Sequence, residues 1–172
     1  IIGGVILAKD MHNAPTSDAL KSIYIHEQAV VKSRLADTPL SEIPSLSAWR
    51  SAISAFGVSP TKYRSAAEAL ARRLTKKGDI PSINTLVDIG NLISIRYSLP
   101  VAIFDTQQIT GTITVHYADG SEAFTELGSN AIVYPEVGEV VFSDDKRMCI
   151  ARRWCWRQSA TSASNDHTTD AI

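Results

Sequence analysis

The sequence predicts a mixed α/β domain, α+β by the order of its elements, and three observations carry that expectation. Apolar residues recur at helical spacing as far as Pro100, and beyond it the period changes to strict alternation. Capping residues and turn dipeptides then divide both halves into short elements. A length of 172 residues suits one domain spanning 1–172, or two tightly fused lobes, and 44% hydrophobic residues supply an ordered core.

Taken in order, Val5 to Lys9 reads as a short apolar strand able to join the later sheet. The start from Ile1 lacks an initiating Met and a basic n-region, so it is read as a strand of a trimmed chain rather than a signal peptide. Ser17 caps a helix through Leu35, with Leu20, Ile23, Ala29, Val30 and Leu35 as its apolar positions. Pro39 and Pro44 mark a connecting loop, and Ser47 caps a short helix carrying Trp49, Ile53 and Phe56, closed by Gly57. Ser65 to Glu68 is a capping box that opens a helix ending at Gly78, where Lys76 and Lys77 complement the helix dipole. A further helix from about Ile83 to Ser98 is apolar around most of its circumference, but Asn84, Asp88 and Asn91 fall within ~60° of one another. Such a stripe either braces neighbouring elements or lines a pocket.

Strands follow at Val101 to Phe104 and Gly111 to Tyr117, with Asp119-Gly120 turning into Ser121 to Leu127 as a hairpin. A second hairpin joins Val140 to Ser143 with Met148 to Trp154. The polar tail Ser159 to Asn165 reads as a mobile loop.

Charge narrows the choice of partner. Lys and Arg number 17 against 18 Asp and Glu, so no global field draws the chain to a duplex or a membrane surface, and any nucleic-acid site must be a local patch. Lys62, Arg64, Arg72, Arg73, Lys76 and Lys77 form one basic run, and Arg152, Arg153 and Arg157 form another. No apolar run approaches the ~20 residues of a membrane helix. Cys149 and Cys155 are poorly separated for a bridge, and the scattered histidines 12, 26, 116 and 167 give no metal-ligand spacing. No metal and no cofactor is expected, and a reducing cytoplasmic setting fits best.

The densest chemistry lies in Cys149 to Gln158, where Arg152, Arg153, Trp154, Trp156 and Arg157 crowd together. As a continuing strand it would set Arg153 and Cys155 on one face and Arg152, Trp154 and Trp156 on the other. Guanidinium forks and indole faces suit an anionic partner with planar parts, such as the end of a nucleic acid. Equally, Trp154 could anchor the core while the arginines pair with Asp144, Asp145 and Asp170. Asp88, Asp105, Glu126 and Glu139 are the carboxylates available for acid or base work, and spacing alone brings no two of them to one bond. Asp105, at a strand end, suits either an active group or a turn.

Several segments together resemble one family. They are Arg64 to Leu70, Leu74 to Asn91 with its Val-Asp-x-x-Asn, Leu99 to Asp105 with its Pro-x-x-x-Phe-Asp, Gly138-Glu139, and Arg152 to Arg157. The pattern is similar to a free-standing B3/B4 domain, the editing module of the bacterial phenylalanyl-tRNA synthetase beta subunit, over about Ser47 to Ile172. The resemblance implies a three-layer fold, a cleft for an aminoacyl ester and hydrolysis of mischarged tRNA in trans. Asn91 and Asp105 are then the candidate catalytic residues, and Asn84 and Asp88 belong with the candidate substrate- or tRNA-binding residues. Arg152, Arg153 and Arg157 would bind phosphate, while Trp154 or Trp156 would stack. The chain departs from the family at Gly90, where the module has Thr, and at Ala102, where it has His. Bulky residues near Arg152 to Trp154 replace pocket glycines, and the acidic pocket residue would fall past Ile172.

The reading predicts a possible aminoacyl-tRNA deacylase acting on the charged end of a tRNA, or else a non-catalytic module binding tRNA or a small amino-acid ligand. Neither membrane nor DNA is an expected partner, and oligomeric state is not legible. The editing account requires Asn91, Asp105 and Arg153 to meet at one hollow.

Overall fold

A computed structural model describes residues 2–172; Ile1, the start of the stretch leading into the expected strand at Val5 to Lys9, lies outside the described residues. Among the described residues four α-helices, α1 (Asp18–Leu35), α2 (Pro44–Ala55), α3 (Ala66–Lys77) and α4 (Thr85–Tyr97), precede six short strands in the mixed α+β arrangement expected. None of the described helices is long and apolar enough to cross a membrane.

The caps explain most helix boundaries. The Ser17 hydroxyl accepts from the Leu20 amide, that of Ser65 from the Glu68 amide, and the Asn84 carbonyl oxygen from the Val87 amide. Gly78 closes α3 at φ +90°, a left-handed position that glycine takes without a Cβ penalty. Two expectations change here. Pro44 opens α2 rather than breaking the chain, because a first-turn residue has no intrahelical use for an N–H. The Glu68 carboxylate turns away from the box to Arg50 at 2.8 Å.

Helix α1 also faces a different way from the one its apolar spacing suggests. Tyr24, Glu27, Gln28, Val31 and Leu35 are buried, whereas Ile23 and Val30 are exposed. Polar partners turn it: the Gln28 carboxamide clamps both the amide and the carbonyl of Ile80, and the Glu27 carboxylate receives the Arg96 guanidinium at 2.9 Å. The helices pack on one another around Tyr24, Leu46, Leu74, Leu92 and Ile95.

Strands β1 (Thr114–Tyr117), β4 (Val140–Ser143), β5 (Cys149–Arg152) and β6 (Arg157–Gln158) form an antiparallel sheet in the order β1-β4-β5-β6. The β4–β5 hairpin is the second one expected. The first is replaced: β1 pairs with β4, while β2 (Phe124–Thr125) pairs with β3 (Ile132–Val133). Glu122 redirects the chain, because its fully buried carboxylate accepts from the amides of Asp119 and Gly120 and receives Arg147, while Ala118 donates its own amide to Glu139.

The segments expected as strands at Val5 to Lys9 and Val101 to Phe104 are reduced to single bridges, Ala8 with Ala171 and Phe104 with Ala163. The tail expected to be mobile is woven into the fold instead. Ser159 donates to Ile150, Ala160 to Thr125, Asp105 donates to Ser162, and Phe104 and Ile172 exchange backbone hydrogen bonds. Ser159 and Ser162 are fully buried.

Candidate functional site

Strand β5 stops at Arg152, which pairs with Arg157 across the hairpin, so the alternation expected through Trp156 does not occur. Arg153 (φ +47°) and Trp154 (φ +63°) turn left-handed in succession, a conformation that costs of order 1–3 kcal/mol for each residue other than glycine. Several contacts hold this turn. The Trp154 amide donates to Val140, the Trp156 amide to Arg152, and the Cys155 carbonyl accepts from the Ala66 amide at the start of α3. Phe56 stacks on Trp154 with centroids 5.6 Å apart, and Phe142 meets the same ring edge-on.

The two arginines of the turn are occupied by a carboxylate that spacing did not identify as their partner. Glu139, buried, accepts Arg152 Nε at 2.7 Å and Nη2 at 2.8 Å, and its second oxygen also takes Arg153 Nη2 at 2.9 Å. Asp144 instead braces the β4–β5 turn by accepting from the amides of Thr110, Lys146 and Met148. The Arg153 guanidinium lies 3.8 Å from the Tyr63 ring centroid. Removing two guanidinium groups from water is tolerable only because this carboxylate and these rings receive them. The bond to Glu139 also lifts the Arg152 pKa further above its ordinary value.

The open concavity lies beside this turn. A groove of about 470 Å³ is lined by Lys62, Arg64, Ala69, Arg72, Arg73, Lys76, Lys77, Trp156 and Arg157. Helix α3 buries Ala67, Glu68, Ala71 and Leu74, and residues four apart share a helix face, so Arg72 with Lys76 and Arg73 with Lys77 stand on its outer side. Arg64 lies 3.7 Å from Glu68, Arg73 3.9 Å from Asp79 and Arg157 3.0 Å from Glu126. Among the described residues, no carboxylate lies within salt-bridge distance of Lys62, Arg72, Lys76 or Lys77. The basic run of α3 and the end of the β5–β6 hairpin thus form one cationic wall with an indole in it. Lys76 and Lys77 have an adequate local role at the helix C-terminus, which conceals this second one in the sequence; their spacing with Arg72 and Arg73 was the available signal.

The α4 stripe has a different character. Asn84 caps its helix and reaches the Ser164 carbonyl at 3.5 Å. Asp88, fully buried, accepts from the hydroxyls of Thr16 (2.6 Å) and Ser82 and from the Ile83 amide. Asp105 accepts from the Gln107 amide and the Thr168 hydroxyl, each at 2.9 Å. Asp105 therefore holds both ends of the loop Ser162 to Thr168, its amide at Ser162 and its carboxylate at Thr168, and Asn84 holds Ser164 between them. Asn91 is half-buried beside the Tyr24 hydroxyl, whose pKa is raised first by burial and then by the Asp88 charge. A Cβ on Gly90 would sit 2.9 Å from the terminal methyl of Ile103, a contact that a shift of that side chain would relieve.

A second groove of about 430 Å³ lies at the C-terminal ends of α1 and α4, between Arg34, Glu42 and Arg96. Neither groove is lined by Asn91, Asp105 or Arg153, so the structure does not bring these three together at either. Of the expected binding residues, Trp156 and Arg157 reach the basic groove, while Arg152, Arg153 and Trp154 form the packed support behind it.

Comparison with known proteins agrees with this architecture. Residues 48–172 match the model of the B3/4 domain. Three similar relatives are phenylalanine–tRNA ligase beta subunits. That of Fusobacterium nucleatum is 33% identical over 86 residues, covering 50% of this chain and 10% of its own. That of Cereibacter sphaeroides is 38% identical over 77 residues, 44% of this chain and 9% of its own, and that of Shewanella oneidensis 29% over 76 residues, 44% and 10%. The matched region thus spans about a tenth of the length of these relatives. Since the family match extends over well more than half of the sequence, this chain belongs to the B3/4 domain family.

Proposed function

We propose that this B3/4 domain binds tRNA through the groove between α3 and the β5–β6 hairpin. One observation carries the reading: seven cationic side chains and one indole converge on a single open groove in a protein whose formal net charge is −1. Phosphates provide the affinity of such a surface, and its salt dependence follows from counterion release. The relatives named as tRNA ligase subunits make tRNA the reasonable nucleic acid, a task that belongs in the cytoplasm.

Fluorescence anisotropy with labelled tRNA across a potassium chloride series tests the reading. With four to seven of the cations engaged, the slope of log K against log salt is about −3 to −6, and Arg72→Gln or Lys76→Gln each reduce its magnitude by roughly 0.7–0.9. An affinity that ignores both salt and these substitutions rejects the proposal and points to a small uncharged ligand.

The relation to the ligase subunits favours a second reading, in which the bound aminoacyl ester is also hydrolysed in trans, with Asn91 and Asp105 orienting water. Ester hydrolysis requires a positioned water and fixed donors rather than a His. The carboxylate of Asp105 is already engaged by Gln107 and Thr168, which makes binding without chemistry the better-supported half. A panel of mischarged tRNAs that shows no deacylation above buffer removes the hydrolytic reading and leaves the binding one standing.

A further inference from the structure

The two tryptophans of the hairpin have different surroundings. Trp154 is held between Phe56 and Phe142, whereas Trp156 lines the basic groove. We propose that Trp156 is the specificity-determining residue of the groove, stacking on an unpaired base of an RNA whose phosphates follow α3, so that single-stranded RNA is taken in preference to duplex. This rests on the RNA-binding reading above and adds to it which form of RNA the groove selects.

The support for the ring is rigid. Tyr63 meets it edge-on, with centroids 4.9 Å apart at 83°, and the guanidinium groups of Arg157, Arg153 and Arg152 lie 4.7, 5.1 and 5.8 Å from its centroid. Two of those three are locked by Glu139, so the indole is positioned before any ligand arrives and little rotamer freedom is lost on binding. Arg157, half exposed and holding Glu126 through Nη1 alone, keeps its other N–H groups at the groove for the phosphate beside a stacked base.

A duplex cannot use this arrangement. Its bases present only their edges in the grooves, their faces being covered by neighbours, whereas every unpaired base offers a face to an aromatic ring. Phosphate contacts along α3 are open to both forms of RNA, so the indole is the element that separates them.

The test compares a single-stranded RNA, a blunt hairpin of equal length closed by a non-nucleotide linker so that it has no unpaired base, and that hairpin with a single-stranded overhang, all at fixed salt. The wild-type domain should bind the single strand and the overhang about tenfold or more tightly than the blunt hairpin. Trp156→Leu should bring that ratio close to one by weakening the single strand and the overhang far more than the blunt hairpin, and Trp156→Phe should restore most of it. Single-stranded RNA should quench the tryptophan fluorescence of the wild type and not that of Trp156→Phe. A preference that survives Trp156→Leu, or a wild type with no preference, overturns the assignment of Trp156 while salt-dependent binding keeps the RNA reading. Absence of binding to all three RNAs and to tRNA overturns both. Should Trp156→Leu fail to fold, the quench decides: equal quenching by single strand and blunt hairpin overturns the inference, and quenching by the single strand alone supports it.

Discussion

Replacing Glu139 with Gln tests the physical basis of the whole hairpin surface. The side chain of Glu139 is 2% exposed, and it receives Arg152 and Arg153, whose side chains are 10% and 6% exposed. Two charge-assisted hydrogen bonds of 2.7 and 2.8 Å from Arg152 and an ion pair with Arg153 at 2.9 Å reach its two oxygens. Gln preserves the shape but offers one acceptor and one donor, so an amide N–H is forced against guanidinium N–H groups and two buried cations lose their counter-charge. Removing one partner of a buried pair costs about 3–5 kcal/mol, which for a chain of this size lowers the melting temperature by roughly 6–20 °C. Urea unfolding followed by circular dichroism measures the loss. RNA affinity, read well below the new melting point, should fall as Trp156 loses its support. A loss under about 1 kcal/mol with an unchanged denaturant slope would mean that the arginines stay solvated, and the account of a packed support behind the groove would then be wrong.

Other consequences are equally direct. Asp88→Ala strands the hydroxyls of Thr16 and Ser82 and the amide of Ile83, and should cost about 2–4 kcal/mol in urea unfolding without weakening RNA affinity in the folded protein; a loss of affinity without a loss of stability would restore Asp88 to the binding surface. The hydrogen bond from Arg96 holds the Glu27 carboxyl below the usual carboxylate range, so its contribution is complete above about pH 4.3 and is lost as pH falls through the lower folded value. Glu27→Gln should remove that acid-side portion of the stability profile, and identical profiles for the two proteins would refute the pairing. Burial pushes the thiols of Cys149 and Cys155 up to about 12, so neither supplies thiolate at neutral pH and both should resist alkylation until the chain unfolds. Because the folded pKa values are raised, this contribution is present below about pH 8.5 and declines as pH rises beyond it. Stoichiometric labelling of the native protein at neutral pH would contradict that assignment.

The sequence by itself determined the local elements of this protein. Ser17, Ser65 and Gly78 mark helix ends because a cap is satisfied by residues three or four positions away, and the β4–β5 hairpin follows from a tight turn between two apolar runs. The family likeness was legible for the same reason, since it lies in contiguous segments. Only the tertiary structure decided which side of α1 is buried, because Gln28 and Glu27 find their partners at Ile80 and Arg96, more than fifty residues away. It also decided that the tail is ordered and that Glu139, rather than any aspartate near the arginines in sequence, neutralises them. Arg152 and Arg153 read as binding residues in the sequence, and the structure finds them buried and paired beside the Trp156 ring, as buried charges must be. The groove forms only when α3 and the β5–β6 hairpin meet at the Ala66–Cys155 hydrogen bond. Periodicity reports an element's own faces; which faces meet is set by long-range polar partners that no local window contains.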